Sequence, residues 1–173
     1  MKSTRVKLAV AVIIPILCLA IWVGSMAIDL HTGTEITIPA AGIDPRDPLA
    51  GHYLTYRPLY PPKLCEVGMS SLKPYYVCLW EENGRINGYS MGQKCPASKP
   101  ADCQVVLQGN CRGSEFSADI ERYYIPEESA PLLNSIMATS RRCSIVVSVN
   151  QKGKPKVKDL LIDGRSWREI YKR

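Results

Sequence analysis

The stretch "GIDPRDPLAGHYLTY", Gly42–Tyr56, gathers Asp44, Arg46, Asp47 and His52 within nine residues. Two carboxylates beside an imidazole can support hydrolysis, in which a general base takes a proton from water. Such a base needs a partner to orient it, and the sequence offers none nearby; the other histidine, His31, adjoins the apolar N-terminal segment. A polar turn is the more economical reading. Pro45 and Pro48 fix φ and cannot donate a backbone hydrogen bond, the Asp side chains accept backbone N–H groups, and Arg46 can bridge to one of them. A charged turn held by prolines loses little entropy when it binds something. Asp44, Arg46, Asp47, Gly51, His52 and Tyr53 therefore form a candidate binding loop at the start of a strand.

Other chemistry is thinner. A Ser–Lys pair acts as nucleophile and base when burial keeps the lysine neutral. "SSLK", Ser70–Lys73, has both residues, but in a loop flanked by Gly and Pro rather than on two adjoining strands. No residue is assigned a catalytic role. Cys18 lies in the apolar segment as a small filler. The remaining six, Cys65, Cys78, Cys95, Cys103, Cys111 and Cys143, are an even number that predicts three disulfides in an exported domain, with fifteen pairings open. Zinc is the alternative, but no Cys-x-x-Cys pair exists and no histidine follows residue 52. Neither a metal nor any other cofactor is expected.

The lysines of "KGKPKVK", Lys152, Lys154, Lys156 and Lys158, alternate and would share one side of an extended strand. Lysines on an edge strand discourage edge-to-edge pairing. The same row is a candidate basic surface for anionic lipid headgroups or a negatively charged envelope polymer. The net charge of +6 is concentrated at the two ends of the chain, which leaves the middle slightly acidic and argues against a nucleic-acid partner. Tyr53, Tyr56, Tyr60, Tyr75 and Tyr76 can line a groove, but in a small β domain they more often rim the core.

These residues need elements to position them. Lys2, Arg5 and Lys7 precede an uncharged run, Leu8 to Ile28, closed by Asp29. Twenty-one residues at about 1.5 Å each would cross a hydrocarbon core of roughly 30 Å. The basic flank predicts an uncleaved single-pass anchor with a cytoplasmic N-terminus. A cleaved signal peptide is the alternative, with small residues at Ser25 and Ala27. Residues 1–29 are thus read as stub and anchor, and 30–173 as one exported domain with a Cys-rich insert at 65–111. Strands are expected at Glu35–Pro39, "HYLTY", Tyr75–Trp80 and Gln104–Gln108, with turns at Asn83-Gly84 and Asn87-Gly88. "SEFSADIERYYI" alternates as one long half-buried strand. "IPEESAPLLNSIMATS" has helical spacing and early acids, which suit a helix N-terminus. "CSIVVSV" buries Cys143, Ile145, Val147 and Val149, and a final hairpin turns at Asp163-Gly164. The fold class is α+β and mostly β: an N-terminal transmembrane helix, then a small antiparallel barrel-like domain with one short helix.

"DPRDPLAGHY", "RYYIPEE" and "VKDLLIDGR", in that order behind an N-terminal anchor, resemble three blocks of the GDYXXLXY family of bacterial membrane-anchored proteins. Gly51 and Tyr53 match its central block, whereas His52 stands where the family has Asp, Tyr56 where it has Leu and Pro58 where it has Tyr. The insert from Cys65 to Cys111 is no part of the family pattern. The resemblance implies a fold and a location, and no reaction. The expected protein sits in a bacterial inner membrane with its disulfide-stabilised domain in the periplasm. It touches the membrane lipid and presents that domain, without catalysis, to a membrane-protein partner. A divergent envelope hydrolase using Asp44, Asp47 and His52, or a binder of an anionic polymer or lipid surface, is the alternative.

Overall fold

The computed structural model describes residues 2–42, 53–65, 69–70, 73–129, 131, 133 and 143–171. Helix α1, Lys2–Thr32, carries apolar side chains on every face, and its segment Val10–Thr32 is long and apolar enough to cross a membrane. A helix apolar all round has no polar face to give to water. The expected end near Asp29 is passed: the helix runs on to Thr32 and strand β1, Thr34–Gly42, starts two residues later. The polar juncture expected there shrinks to Gly33 alone.

Two curled antiparallel sheets form the domain. The first contains β1, β2 (Tyr53–Pro58), β8 (Arg122–Tyr124), β9 (Cys143–Val149), β10 (Pro155–Ile162) and β11 (Arg165–Ser166), in the order β11-β10-β9-β1-β2-β8. The second contains β3 (Met69–Ser70), β4 (Tyr75–Glu82), β5 (Arg85–Gly92) and β6 (Val105–Gly113), in the order β3-β6-β4-β5, with β7 (Glu115–Ser117) on β6. Alternation dictates the core. Ile36 and Ile38 of β1, Ile145 and Val147 of β9 and Leu160 of β10 meet Val77, Leu79, Val105 and Leu107 of the other sheet, all buried. Full burial of such a side chain is worth about 1.5–3 kcal/mol each, so this layer holds the two sheets together. A backbone bond from Gln108 N–H to Gly153 C=O, 2.7 Å, joins them again at the β9–β10 turn.

Three expectations need correction. Asn83-Gly84 turns the chain, with φ of 54° and 72°, but Asn87-Gly88 lies inside β5, paired with Trp80 and Leu79. A Cβ on Gly88 would stand 2.5 Å from Leu79 Cδ2, so this glycine serves a close approach rather than a turn. The long strand over "SEFSADIERYYI" is two short ones, β7 and β8, which pair in different sheets; Asp119 between them has φ 56° and breaks the extension. The last segment is a hairpin only to Ser166, after which Trp167–Tyr171 forms helix α2. Trp167 is buried there, and Arg168 donates to Tyr123 Oη and Asp159 Oδ1 at 2.9 and 3.0 Å. In the helix expected after Ile125, Glu127–Ser129 is a 3-10 turn and Pro131 and Leu133 are helical, with Leu133 fully buried. The rest of that segment lies outside the described residues.

Candidate functional site

Helix α1 is fastened to the domain where it ends. Ser148 Oγ donates to the Asp29 carbonyl at 3.2 Å, Asn150 Nδ2 donates to the Asp29 carboxylate at 3.4 Å, and Lys156 pairs with the same carboxylate at 3.5 Å. Lys156 also reaches the Met26 carbonyl at 3.0 Å. Ser148 points away from the core and alternation predicts it exposed, yet it is buried, because the end of α1 covers it. Gly33 sits in the same joint: a Cβ there would lie 2.2 Å from Ser148 Oγ. Lys158 pairs with Glu35, whose backbone carbonyl accepts from Gln104 Nε2, the residue just before β6, at 3.0 Å. Half of the lysine row is therefore spent on the joint.

Beside this joint opens a cleft of about 620 Å³. Asp29 and Thr32 of α1 form one wall, Cys95 and Lys99 of the loop before β6 a second, and Asn150 and Lys152 of the β9–β10 turn a third. Asn150 holds that turn in shape, its Oδ1 accepting the backbone N–H of Lys152 and of Lys154 at 3.0 Å each. Lys99 Nζ donates to the Gln104 carbonyl at 3.1 Å. Among the described residues no carboxylate pairs with Lys99, Lys152 or Lys154, and all three are exposed. The loop is secured by the Cys78–Cys103 disulfide.

A second cleft, about 790 Å³, lies between the end of β2 and the β6–β7 hairpin. Each of its three acids has a partner within the chain, whereas Lys63 and Arg112 of its lining have no carboxylate partner among the described residues. Arg57 pairs with Glu115 at 2.5 Å, Glu121 accepts from Ser117 Oγ at 2.7 Å, and Asp119 accepts from Asn110 Nδ2 at 3.2 Å. Tyr60 stands edge-on to Phe116, centroids 5.1 Å apart, with a buried hydroxyl that has no hydrogen-bond partner among the described residues. Burial, then the nearby Glu121 carboxylate, pushes the Tyr60 phenol well above its ordinary range, so it stays neutral. Tyr56, with its hydroxyl bonded to the Ile120 carbonyl, is pushed up by burial in the same way.

The residues expected to act divide unevenly. Asp44, Arg46, Asp47, Gly51 and His52 lie outside the described residues, and Tyr53 opens β2 opposite Tyr124. Lys152 and Lys154 belong to the cleft turn, whereas Lys156 and Lys158 are in ion pairs. Among the described residues two disulfides form where three were expected: Cys65–Cys111 and Cys78–Cys103. Cys95 and Cys143 are not bridged to each other. Cys95 shares the first cleft with Val149, and Cys143 lies six residues back along β9, about 20 Å at strand rise, far beyond disulfide reach. No group of three His, Cys, Asp or Glu side chains suited to a metal occurs among the described residues. Sequence reasoning missed Cys95, Lys99 and Asn150 as cleft residues. Asn150 had a signal, an Asn three residues before a Gly in a turn-rich stretch.

A family model described as GDYXXLXY protein matches residues 15–160. No curated protein and no solved structure gives a significant match.

Proposed function

The chain belongs to the GDYXXLXY family, and we propose that it is a non-catalytic accessory protein of the bacterial inner membrane, anchored by α1, whose periplasmic domain is presented to a membrane-protein partner. The N-terminus stays on the cytoplasmic side, consistent with Lys2, Arg5 and Lys7 ahead of the apolar segment. The Cys65–Cys111 and Cys78–Cys103 bridges suit an oxidising compartment. One observation carries the reading: the joint at Asp29 fixes the domain directly onto the end of the helix. An enzyme acting on soluble substrates gains nothing from such a joint. A subunit that must meet a neighbour in the same membrane gains a fixed height and orientation, which lowers the entropic cost of association.

Crosslinking in intact cells with mass spectrometry tests this on the full-length chain, alongside a Lys152, Lys154, Lys156 and Lys158 to Gln variant. One dominant membrane-protein adduct, retained in the variant, is the expected result. No protein adduct in either form would sink the proposal.

A further inference from the structure

We propose that the cleft at the base of α1 is a binding site for the phosphate-bearing headgroups of anionic lipids in the leaflet from which the helix emerges. The assignment rests on the reading of α1 as a membrane anchor. Thr32, the last residue of the apolar segment, is also a cleft residue, so the cleft lies at the height where that segment leaves hydrocarbon. Only Gly33 separates the helix from β1, and the Asp29 joint keeps the domain from lifting away.

The charges at that height are arranged for an anion. Asp29, the acid of the cleft wall, is already occupied by Lys156 and Asn150. Lys99 and Lys152 reach the cleft from two different elements, Lys154 extends the same turn, and none of the three has a carboxylate partner among the described residues. Lysines two residues further on, with the same chemistry, are paired to acids of this chain. A cavity of about 620 Å³ is in the range of small-molecule sites and has room for a headgroup. A lysine near an anionic leaflet gains further from the surface potential, which fades within a Debye length, so the benefit depends on the joint holding the cleft down. The exposed thiol of Cys95 lies in the cleft, and its reactivity reports on occupancy without an introduced cysteine.

The test uses the full-length chain, with Cys18→Ser to leave Cys95 as the exposed thiol, in nanodiscs of phosphatidylcholine or of phosphatidylcholine with phosphatidylglycerol. The rate of Cys95 alkylation by an uncharged, membrane-impermeant maleimide is read in each, with a Lys99→Gln/Lys152→Gln variant alongside. The expected result is alkylation about ten-fold slower in the anionic discs, with that slowing abolished in the variant. Equal rates in the two discs, or slowing that the variant retains, overturns the assignment. Protection by millimolar inorganic phosphate in the zwitterionic discs, as complete as that by anionic lipid, marks a soluble phosphate ligand and overturns the lipid assignment. A chain that fails to co-elute with discs overturns the anchor reading itself, whereas failure of the cleft alone leaves co-elution intact.

Discussion

The two clefts are similar in size and differ in the balance of their charges. Around the second, between β2 and the β6–β7 hairpin, Arg57 meets Glu115, Asn110 meets Asp119 and Ser117 meets Glu121, so each acid is answered within the chain and the three acids balance Arg57, Lys63 and Arg112 in number. Around the first, at the base of α1, the acid is answered and the lysines have no carboxylate among the described residues. A surface whose charges balance internally is finished when the chain folds. One that keeps ammonium groups without a carboxylate beside a fixed helix end is open to completion from outside, as proposed above. The lysine row shows the contrast over seven residues, with Lys156 and Lys158 facing inward to Asp29 and Glu35 and Lys152 left to the cleft.

The largest expected effect breaks the finished side. Cys65 and Cys111 flank residues that line the second cleft and close a loop with a sequence separation of 46. Replacing both with Ser lowers unfolding free energy by about 4 kcal/mol in denaturant titration, from loop-closure entropy. The first cleft should persist, since Cys78–Cys103 holds its loop. Next comes the joint: Gly33→Ala drives a Cβ into Ser148 Oγ and should cost about 2 kcal/mol in thermal unfolding, with faster hydrogen exchange at the start of β1. Wild-type exchange there would mean the helix end is not seated as described.

Two tyrosines sharpen the comparison with opposite signs. Tyr56→Phe strands the buried Ile120 carbonyl and should destabilise by about 1 kcal/mol, while Tyr60→Phe removes an unpartnered hydroxyl and should be neutral or stabilising by about 1 kcal/mol. Both phenols titrate above their ordinary value near 10 when folded. Above pH 10 the unfolded chain therefore sheds protons that the folded chain keeps. Their contribution is fully present below 10 and is lost as pH rises from there toward the folded values. Alkaline unfolding monitored by tyrosinate absorbance should flatten in the double Phe variant. The smallest effect is Arg57→Ala: this pair is mostly exposed, and the change should stay within about 0.5 kcal/mol. A loss several times larger would make the second cleft a stressed structure rather than a finished one.

Period-two patterning made the core legible. Cys143, Ile145, Val147 and Val149 point inward as their alternation requires, and Asn83-Gly84 turns as its composition requires. Failures came where a distant element overrules a local pattern. Ser148 reads as an outward residue because nothing in β9 announces the helix end resting on it. Asp119 sits in uninterrupted alternation, and only the competing claims of two sheets explain its break. The cysteine pairing depends on which strands become neighbours, which spacing does not encode. Helix α2, by contrast, carried a readable signal in Ser166 and Glu169, a Ser-x-x-Glu start, and the Ser166 hydroxyl does accept the Arg168 N–H at 3.3 Å. Of the site, the lysines were visible but their division was not, since it follows from where Asp29 and Glu35 come to lie.

The single-residue connection at Gly33 has a mechanical side. A domain on a slack tether ignores the angle of its anchor, but here the helix and the nine-residue β1 behave as a bent crank. Spanning helices commonly lean by about 20°. A change of that size at the helix would swing the far end of a strand about 30 Å long through roughly 10 Å. With α1 spanning a membrane, as proposed above, lipid thickness or a neighbour pressing on it would be read out as displacement at the Gly42 end of β1.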